Sequence, residues 1–282
     1  YSFTIKMDIN LHNSDFSYDP VTVINEEDAK GRTAEIFLDI RKTMNIPLIT
    51  SIWRGLASMD HSLEEVWTLT KPIYLSGAPE LALNKMINSV HLPTPKIINK
   101  IHLKTLKEND LQNIKEIIKV YNKSNGMNLM ALSAFIMSDY KPRVNIINTR
   151  PKIVKPTFPK LMNKDEISSE TWSIVKNVNS IGSSQGIYSH IATLWRHLAH
   201  WPKFLSLVYD NFIPLDLNGE IIKAQENILN HVQENGINLK RQKIKYSEIN
   251  DTTRNTIRDY VHTNNQVIRM VVLGNMMDKW LR

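Results

Sequence analysis

The sequence predicts an all-α protein: two tandem homologous helical repeats packed as a pseudo-dimer and joined by a long Pro-rich basic linker. Three observations predict it. Blocks of residues recur in the same order in the two halves of the chain. Apolar residues follow the period of a helix, and the alternating runs and tight turns of hairpins are lacking. A stretch rich in proline and lysine lies between the recurring blocks.

The recurrence is specific. SIWRGLASMDHSLEEVWTLTKPI (51–73) lies over TLWRHLAHWPKFLSLVYDNFIPL (193–215) without a gap. Trp53, Arg54, Leu56 and Ala57 match Trp195, Arg196, Leu198 and Ala199 at an offset of 142 residues. Leu63, Val66, Trp67 and Pro72 meet Leu205, Val208, Tyr209 and Pro214 at the same offset. Further on, YNKSN (121–125) faces YVHTN (260–264) at an offset of 139. Two blocks in one order with near-equal spacing are read as a duplication.

Each copy reads as helical. Asn25 is the expected N-cap of EEDAKGRTAEIFLDIRKTM, in which Ala34, Phe37, Ile40 and Met44 share one face. LQNIKEIIKVYNKSN repeats the pattern with Leu111, Ile114, Ile118 and Tyr121. IIKAQENILNHVQENG carries Ile222, Ala224, Ile228 and Val232 and stops at Gly236. Expected boundaries are 1–139 for the first repeat, 140–163 for the linker and 164–282 for the second repeat. In YKPRVNIINTRPKIVKPTFPKLMNK (140–164), Lys141, Arg143, Arg150, Lys152, Lys155, Lys160 and Lys164 meet no acid. Pro142, Pro151, Pro156 and Pro159 punctuate it, which is the composition of an extended linker.

With 282 residues, 42% of them hydrophobic and 22% charged, the chain can bury a sizeable core. It has no cysteine, which excludes disulfide scaffolds, zinc–thiolate sites and thiol nucleophiles and favours a cytoplasmic location. The formal charge of +7 reads as solvated surface, because the basic stretch lacks the interleaved aromatics of a nucleic-acid site. The late apolar run VIRMVVLGNMM is broken by Arg269, so no membrane span is expected. The chain starts at Tyr1, so its targeting is not read from its start.

Five groups of residues carry candidate chemistry. GSSQG (182–186) matches G-x-S-x-G, but no βαβ pattern surrounds Ser184, and a loop before the second repeat explains it better. His197 and His200, with His190 upstream, have the spacing of metal ligands but no third ligand or acid nearby, so they are read as packing histidines and no metal is expected. Arg54 and Arg196 are equivalent; such a pair could clamp a small carboxylate or tie helices together. Asn125 and Asn264 are equivalent as well, each four residues after a Tyr (Tyr121, Tyr260), and an Asn can orient a water or end a helix. In SGAPE (76–80), Ser76 and Glu80 fit a helix start or a pocket network.

The tandem repeats with WRHLAHWP, WRGLA, YNKSN and YVHTN resemble the DL-2-haloacid dehalogenases, the group I haloacid dehalogenases within the wider alkylhydroperoxidase D-like helical folds. The resemblance runs from about Asn25 onward. It implies hydrolytic removal of halide from short 2-haloalkanoic acids, with water attacking C2 directly, no enzyme ester and no cofactor. It also implies a pocket between the repeats, with Trp53, Ile52, Arg54, Trp195, Asn264 and Tyr260 around the substrate. Asn125 matches the residue that orients the water, and Ser76 with Glu80 resembles a hydroxyl–Glu pair near the pocket. One position departs from the family: Leu194 stands where the water-activating Asp belongs, and Leu cannot accept a proton. Asp210 and Asp216 follow too far along the helix to replace it, which leaves Glu80 as the expected base.

Two expectations therefore stand together. One is a 2-haloacid dehalogenase-like enzyme with a different base. The other is a homologue that binds a small carboxylic acid without dehalogenating it. The expected partner in both is a short halogenated or other carboxylic acid, and not nucleic acid or membrane; a homodimer is compatible with either.

Overall fold

The computed structural model describes residues 23–95, 102, 105–137, 140–143, 155–183, 191–237, 240–243, 249–262 and 266–282. Among them the chain forms eleven α-helices, one 3-10 turn and one two-stranded ribbon. The all-α class is observed, with the ribbon as an addition to it.

The first half contains α1 (Gly31–Met44), α2 (Ser51–Ala57), α3 (Ser62–Leu75), α4 (Ala78–Ser89) and the 30-residue α5 (Glu108–Met137). The second contains α6 (Ser169–Ser180), α7 (Thr193–Leu198), α8 (Pro202–Leu217), α9 (Glu220–Asn235), α10 (Asp251–His262) and α11 (Val267–Trp280). The helix starts Ser51 and Thr193 keep the 142-residue offset. Pro72 lies inside α3 and Pro214 inside α8. Gly77 precedes α4 with φ 74 and Gly219 precedes α9 with φ 76, a conformation that a Cβ would penalise. Packing corresponds too: α1 lies on α3 as α6 lies on α8, and α4 lies on α5 as α9 lies on α11.

The periodic faces expected from the sequence are the buried ones, with two local differences. Phe37, Ile40 and Met44 of α1 are buried, but the helix starts at Gly31, and Asn25 does not cap it. Asn25 instead accepts a hydrogen bond from Arg54 Nη1 at 3.3 Å. On α9 the inward side chains are Ile221, Ala224, Gln225, Ile228 and Val232; Ile222 is only half-buried.

α5 is the centre of the molecule. Every residue from Ser124 to Ala134 is buried, as expected for a helix covered all round. Its main partner is α11. Gly274 makes their close crossing workable: Asn122 Nδ2 donates to the Gly274 carbonyl at 3.0 Å, and a Cβ on residue 274 would collide with Asn122 Oδ1.

The stretch expected to be an extended linker is partly structured. Its first four residues form β1 (Tyr140–Arg143), paired antiparallel with β2 (Lys240–Lys243), Tyr140 opposite Lys243. Residues 144–154 lie outside the described residues. The stretch ends at Asn163, which caps the 3-10 turn Lys164–Glu166 reciprocally with Glu166. Lys160 meets no acid in sequence but pairs in space with Glu166 at 2.9 Å.

Candidate functional site

The start of α2, the start of α7, the middle of α5, the end of α10 and the start of α11 converge on one cavity between the halves. Its volume is about 20 Å³, and it is lined by Thr50, Ser51, Tyr121, Asn125, Ala192, Thr193, Leu194, Tyr260, Gln266, Val267 and Met270. That is room for a water molecule, given a threshold of ~10–15 Å³ for one. A short haloacid is several-fold larger, so its entry needs the flexible side chains of Met270 and Gln266 to swing aside. A larger hollow of about 350 Å³ lies on the outer face of α3, between His61 and Leu69. It is built by one helix and its cap, so nothing opposes a ligand there.

The cavity wall is held by bonds that cross the molecule. Arg54 is buried on α2, and its Nη2 donates to Thr193 Oγ1 at the start of α7, 3.1 Å away. Thr50 Oγ1 accepts from Asn128 Nδ2 at 3.0 Å and from Ser124 Oγ at 3.3 Å, while Asn128 Oδ1 accepts from Tyr74 OH at 2.9 Å. The Ala192 N–H donates to Asn179 Oδ1 at 3.0 Å, and the fully buried Arg269 donates through Nη1 to the Asn179 carbonyl. Burial pushes the Arg269 pKa down to about 10, against the pull of Asp216.

The polar lining includes Asn125, Tyr260 and Tyr121. Asn125 makes no side-chain hydrogen bond among the described residues. The Tyr260 hydroxyl is buried beside the Asn128 side chain without a well-formed hydrogen bond among them, and its burial raises the phenol pKa. Tyr121 differs, because its hydroxyl lies 3.2 Å from His197 Nδ1. His197 Nε2 lies 2.7 Å from the Pro159 carbonyl, which can only accept, so Nε2 carries the proton and Tyr121 donates to Nδ1. Burial is the main cause that lowers the His197 pKa to about 4, so the ring is neutral near pH 7. Among the described residues no Asp or Glu lines the cavity.

No family model matches the chain. A configuration-inverting 2-haloacid dehalogenase of Alcaligenes xylosoxydans xylosoxydans is 22% identical over 204 residues, 67% of this chain and 67% of that protein. A solved D-2-haloacid dehalogenase mutant superposes with a TM-score of 0.71 at 12% identity, over 93% of this chain and 96% of the other. The chain is thus similar in sequence to a 2-haloacid dehalogenase and shares the fold of the solved ones. A complex of D-2-haloacid dehalogenase with L-LA aligns at a TM-score of 0.66 and one of a mutant with D-2-CPA at 0.65, each at 12% identity over 93% of this chain, covering 96% and 94% of theirs.

Against this dehalogenase-like frame, the structure gathers some of the sequence-derived site residues and not others. Asn125, Leu194 and Tyr260 share the cavity wall. Glu80 does not: it is exposed at the first turn of α4, 3.4 Å from Lys123 Nζ. Ser76 is buried away from the cavity, where its hydroxyl donates to the Ile73 carbonyl and accepts from the Ala78 N–H, the bonds of a helix-to-helix turn. Trp53, Ile52 and Trp195 are core residues. Trp53 packs edge-on against Trp67 at 5.4 Å and near Tyr74 at 6.0 Å, outside the cavity lining. Arg54 stands behind the wall and acts through Thr193. Asp210 is exposed, and Asp216 faces Arg269 and Gly182. Asn264, Ser184 and His190 lie outside the described residues.

The paired histidines do have work to do. His197 holds Pro159, packs against Phe158 at 5.2 Å and meets Tyr121, while His200 Nε2 donates to the Lys160 carbonyl at 2.8 Å. Together they lay the end of the linker over α7. Thr50, Thr193 and Tyr121 were the residues sequence reasoning missed as site members. The signal for Tyr121 was its equivalence to Tyr260; Thr50 and Thr193 carried none beyond standing beside the repeated Trp-Arg element.

Proposed function

We propose that this dehalogenase-like protein removes halide hydrolytically from short 2-haloalkanoic acids. A water in the central cavity attacks C2, the C2–O bond forms as the carbon–halogen bond breaks, and the halide leaves with the bonding pair. The products are a 2-hydroxy acid, halide and one proton, with C2 inverted and no ester on the protein. One observation carries the proposal: Asn125, Tyr121 and Tyr260 meet at a water-sized cavity between the halves, where the resemblance puts the pocket. Asn125 supplies one donor and one acceptor side to hold the water, and the Tyr260 hydroxyl supplies a donor for the carboxylate or the departing halide. The relatives' 2-haloacid chemistry, the matching order of α2–α4 and α7–α9, and their shared offset support a duplicated unit with its site at the seam.

A second reading is favoured by Leu194, which sits in the wall where the family's acid belongs. In it the cavity binds a short carboxylic acid and leaves it unchanged. Halide release from each enantiomer of 2-chloropropionate separates the two. Release above the uncatalysed background supports hydrolysis; binding of the acid without release supports the second reading. A cytoplasmic location and homodimeric assembly belong to the proposal as well; the first rests on the cysteine-free composition.

A further inference from the structure

Among the described residues the wall of the cavity contains no carboxylate, yet the reaction just proposed releases a proton that something must take. Beside the cavity one hydroxyl is coupled to a base. Tyr121 OH donates to His197 Nδ1 at 3.2 Å, the two rings meet edge-on at 5.8 Å, and the imidazole is clamped from behind by the Pro159 carbonyl at 2.7 Å and from the side by Phe158. The clamp fixes the tautomer whose Nδ1 lone pair points at Tyr121. The arrangement is one-sided. Gly55 is the residue matching His197 in the first half, and the hydroxyl of Tyr260, the match for Tyr121, has the Asn128 amide beside it rather than a base. Among the described residues, one of the two equivalent tyrosines has a proton acceptor behind it and the other does not.

We propose that Tyr121 and His197 together act as the proton acceptor for the attacking water, in place of the carboxylate that Leu194 displaces. This inference rests on the dehalogenase reading. As water oxygen bonds to C2 and the halide leaves, the water's proton passes to Tyr121 Oη, and the Tyr121 proton passes to His197 Nδ1. One proton is lost by water and one gained by imidazole; Tyr121 ends as it began. Tyr121 is the catalytic residue of the pair, because it faces the water, and His197 is a positioning residue that acts through it.

The basicity is suited to the task. An Asp carboxylate has an ordinary pKa of about 3.9, and burial brings His197 to about 4. A buried neutral imidazole here offers roughly the proton affinity of the missing acid. The charged and titratable groups facing His197 are Arg196 and His200 on its own segment, both of which disfavour its cation; from the linker it meets Pro159 and Phe158, and from α5 it meets Tyr121.

Two substitutions remove the base, and each keeps one of its two hydrogen-bond contacts. His197→Gln keeps a donor for the Pro159 carbonyl and loses the base; His197→Asn keeps an acceptor for Tyr121 and loses the clamp. Both should lower kcat for halide release from 2-chloropropionate by ~10²-fold or more, the usual yield of a general base. The unmodified protein should show an acid limb in kcat/KM near the His197 pKa of about 4, and the residual activity of both variants should lack it. Tyr121→Phe keeps the ring packing and should show the same loss, so the proposal stays testable if either His197 variant fails to fold. Wild-type kcat with an unchanged acid limb in His197→Gln or Tyr121→Phe overturns the inference and leaves the dehalogenase reading standing. No halide release by the unmodified protein overturns both.

Discussion

Arg54 on α2 and Thr193 on α7 join the two halves of the molecule by one buried hydrogen bond, Nη2 to Oγ1 at 3.1 Å, directly behind the cavity wall. Both belong to the repeated Trp-Arg segments, so the motif that looks like an active site in sequence serves in the structure as a tie beneath the cavity. Thr193→Val keeps the shape and removes the acceptor, leaving a buried guanidinium donor unpaired. The expected cost is ~1–3 kcal/mol of stability, read as a lower urea midpoint at unchanged slope.

Asn125 should show the opposite balance. Its side chain makes no hydrogen bond among the described residues, so Asn125→Ala gives up little stability. It should nevertheless lower halide release by ~10²-fold, because the water loses its orientation. Equal losses in stability and activity would assign Asn125 to the core.

Leu194→Asp returns a carboxylate to the cavity wall. Leu194 is 1% exposed, so the new acid is desolvated and its pKa is raised. Halide release should rise roughly tenfold or more, with its acid limb moved above the ordinary carboxylate range. A folded variant with unchanged activity would show that residue 194 does not face the reacting water.

Stability should fall in mild acid through His197. Its folded pKa of about 4 lies below the ordinary 6.5, so the unfolded chain binds its proton more readily. The stability from keeping this ring neutral is present above pH 6.5 and is lost as pH falls toward 4, by about 3 kcal/mol in all. His262, also lowered by burial, adds to the same trend. Urea titrations at stepped pH should show this slope in the wild type and a shallower one in His197→Gln.

The fold was largely legible in the sequence because it is written in periodicity. Phe37, Ile40 and Met44, or Ile114, Ile118 and Tyr121, mark a buried face at helical spacing whatever lies across from it. The site was legible only in part. Asn125 and Tyr260 stand in a repeated pair of motifs, and that repetition pointed to the seam. Glu80 lies outside the cavity lining, facing solvent and Lys123, because four residues of separation in sequence say nothing of which way a helix turns. Trp53 and Trp195 looked like pocket aromatics, but large rings are also what fills a helical core. The His197–Tyr121 contact spans 76 residues and depends on Pro159, a third distant segment, so no local pattern carried it.

Halide release from each enantiomer of 2-chloropropionate decides whether the cavity between the halves hydrolyses 2-haloacids. Hydrolysis in this cavity gives release above background, a lactate product inverted at C2, and loss of that release in Asn125→Ala and Tyr121→Phe. Release that is unaffected by both substitutions, or no release from either enantiomer by the folded wild type, would contradict it.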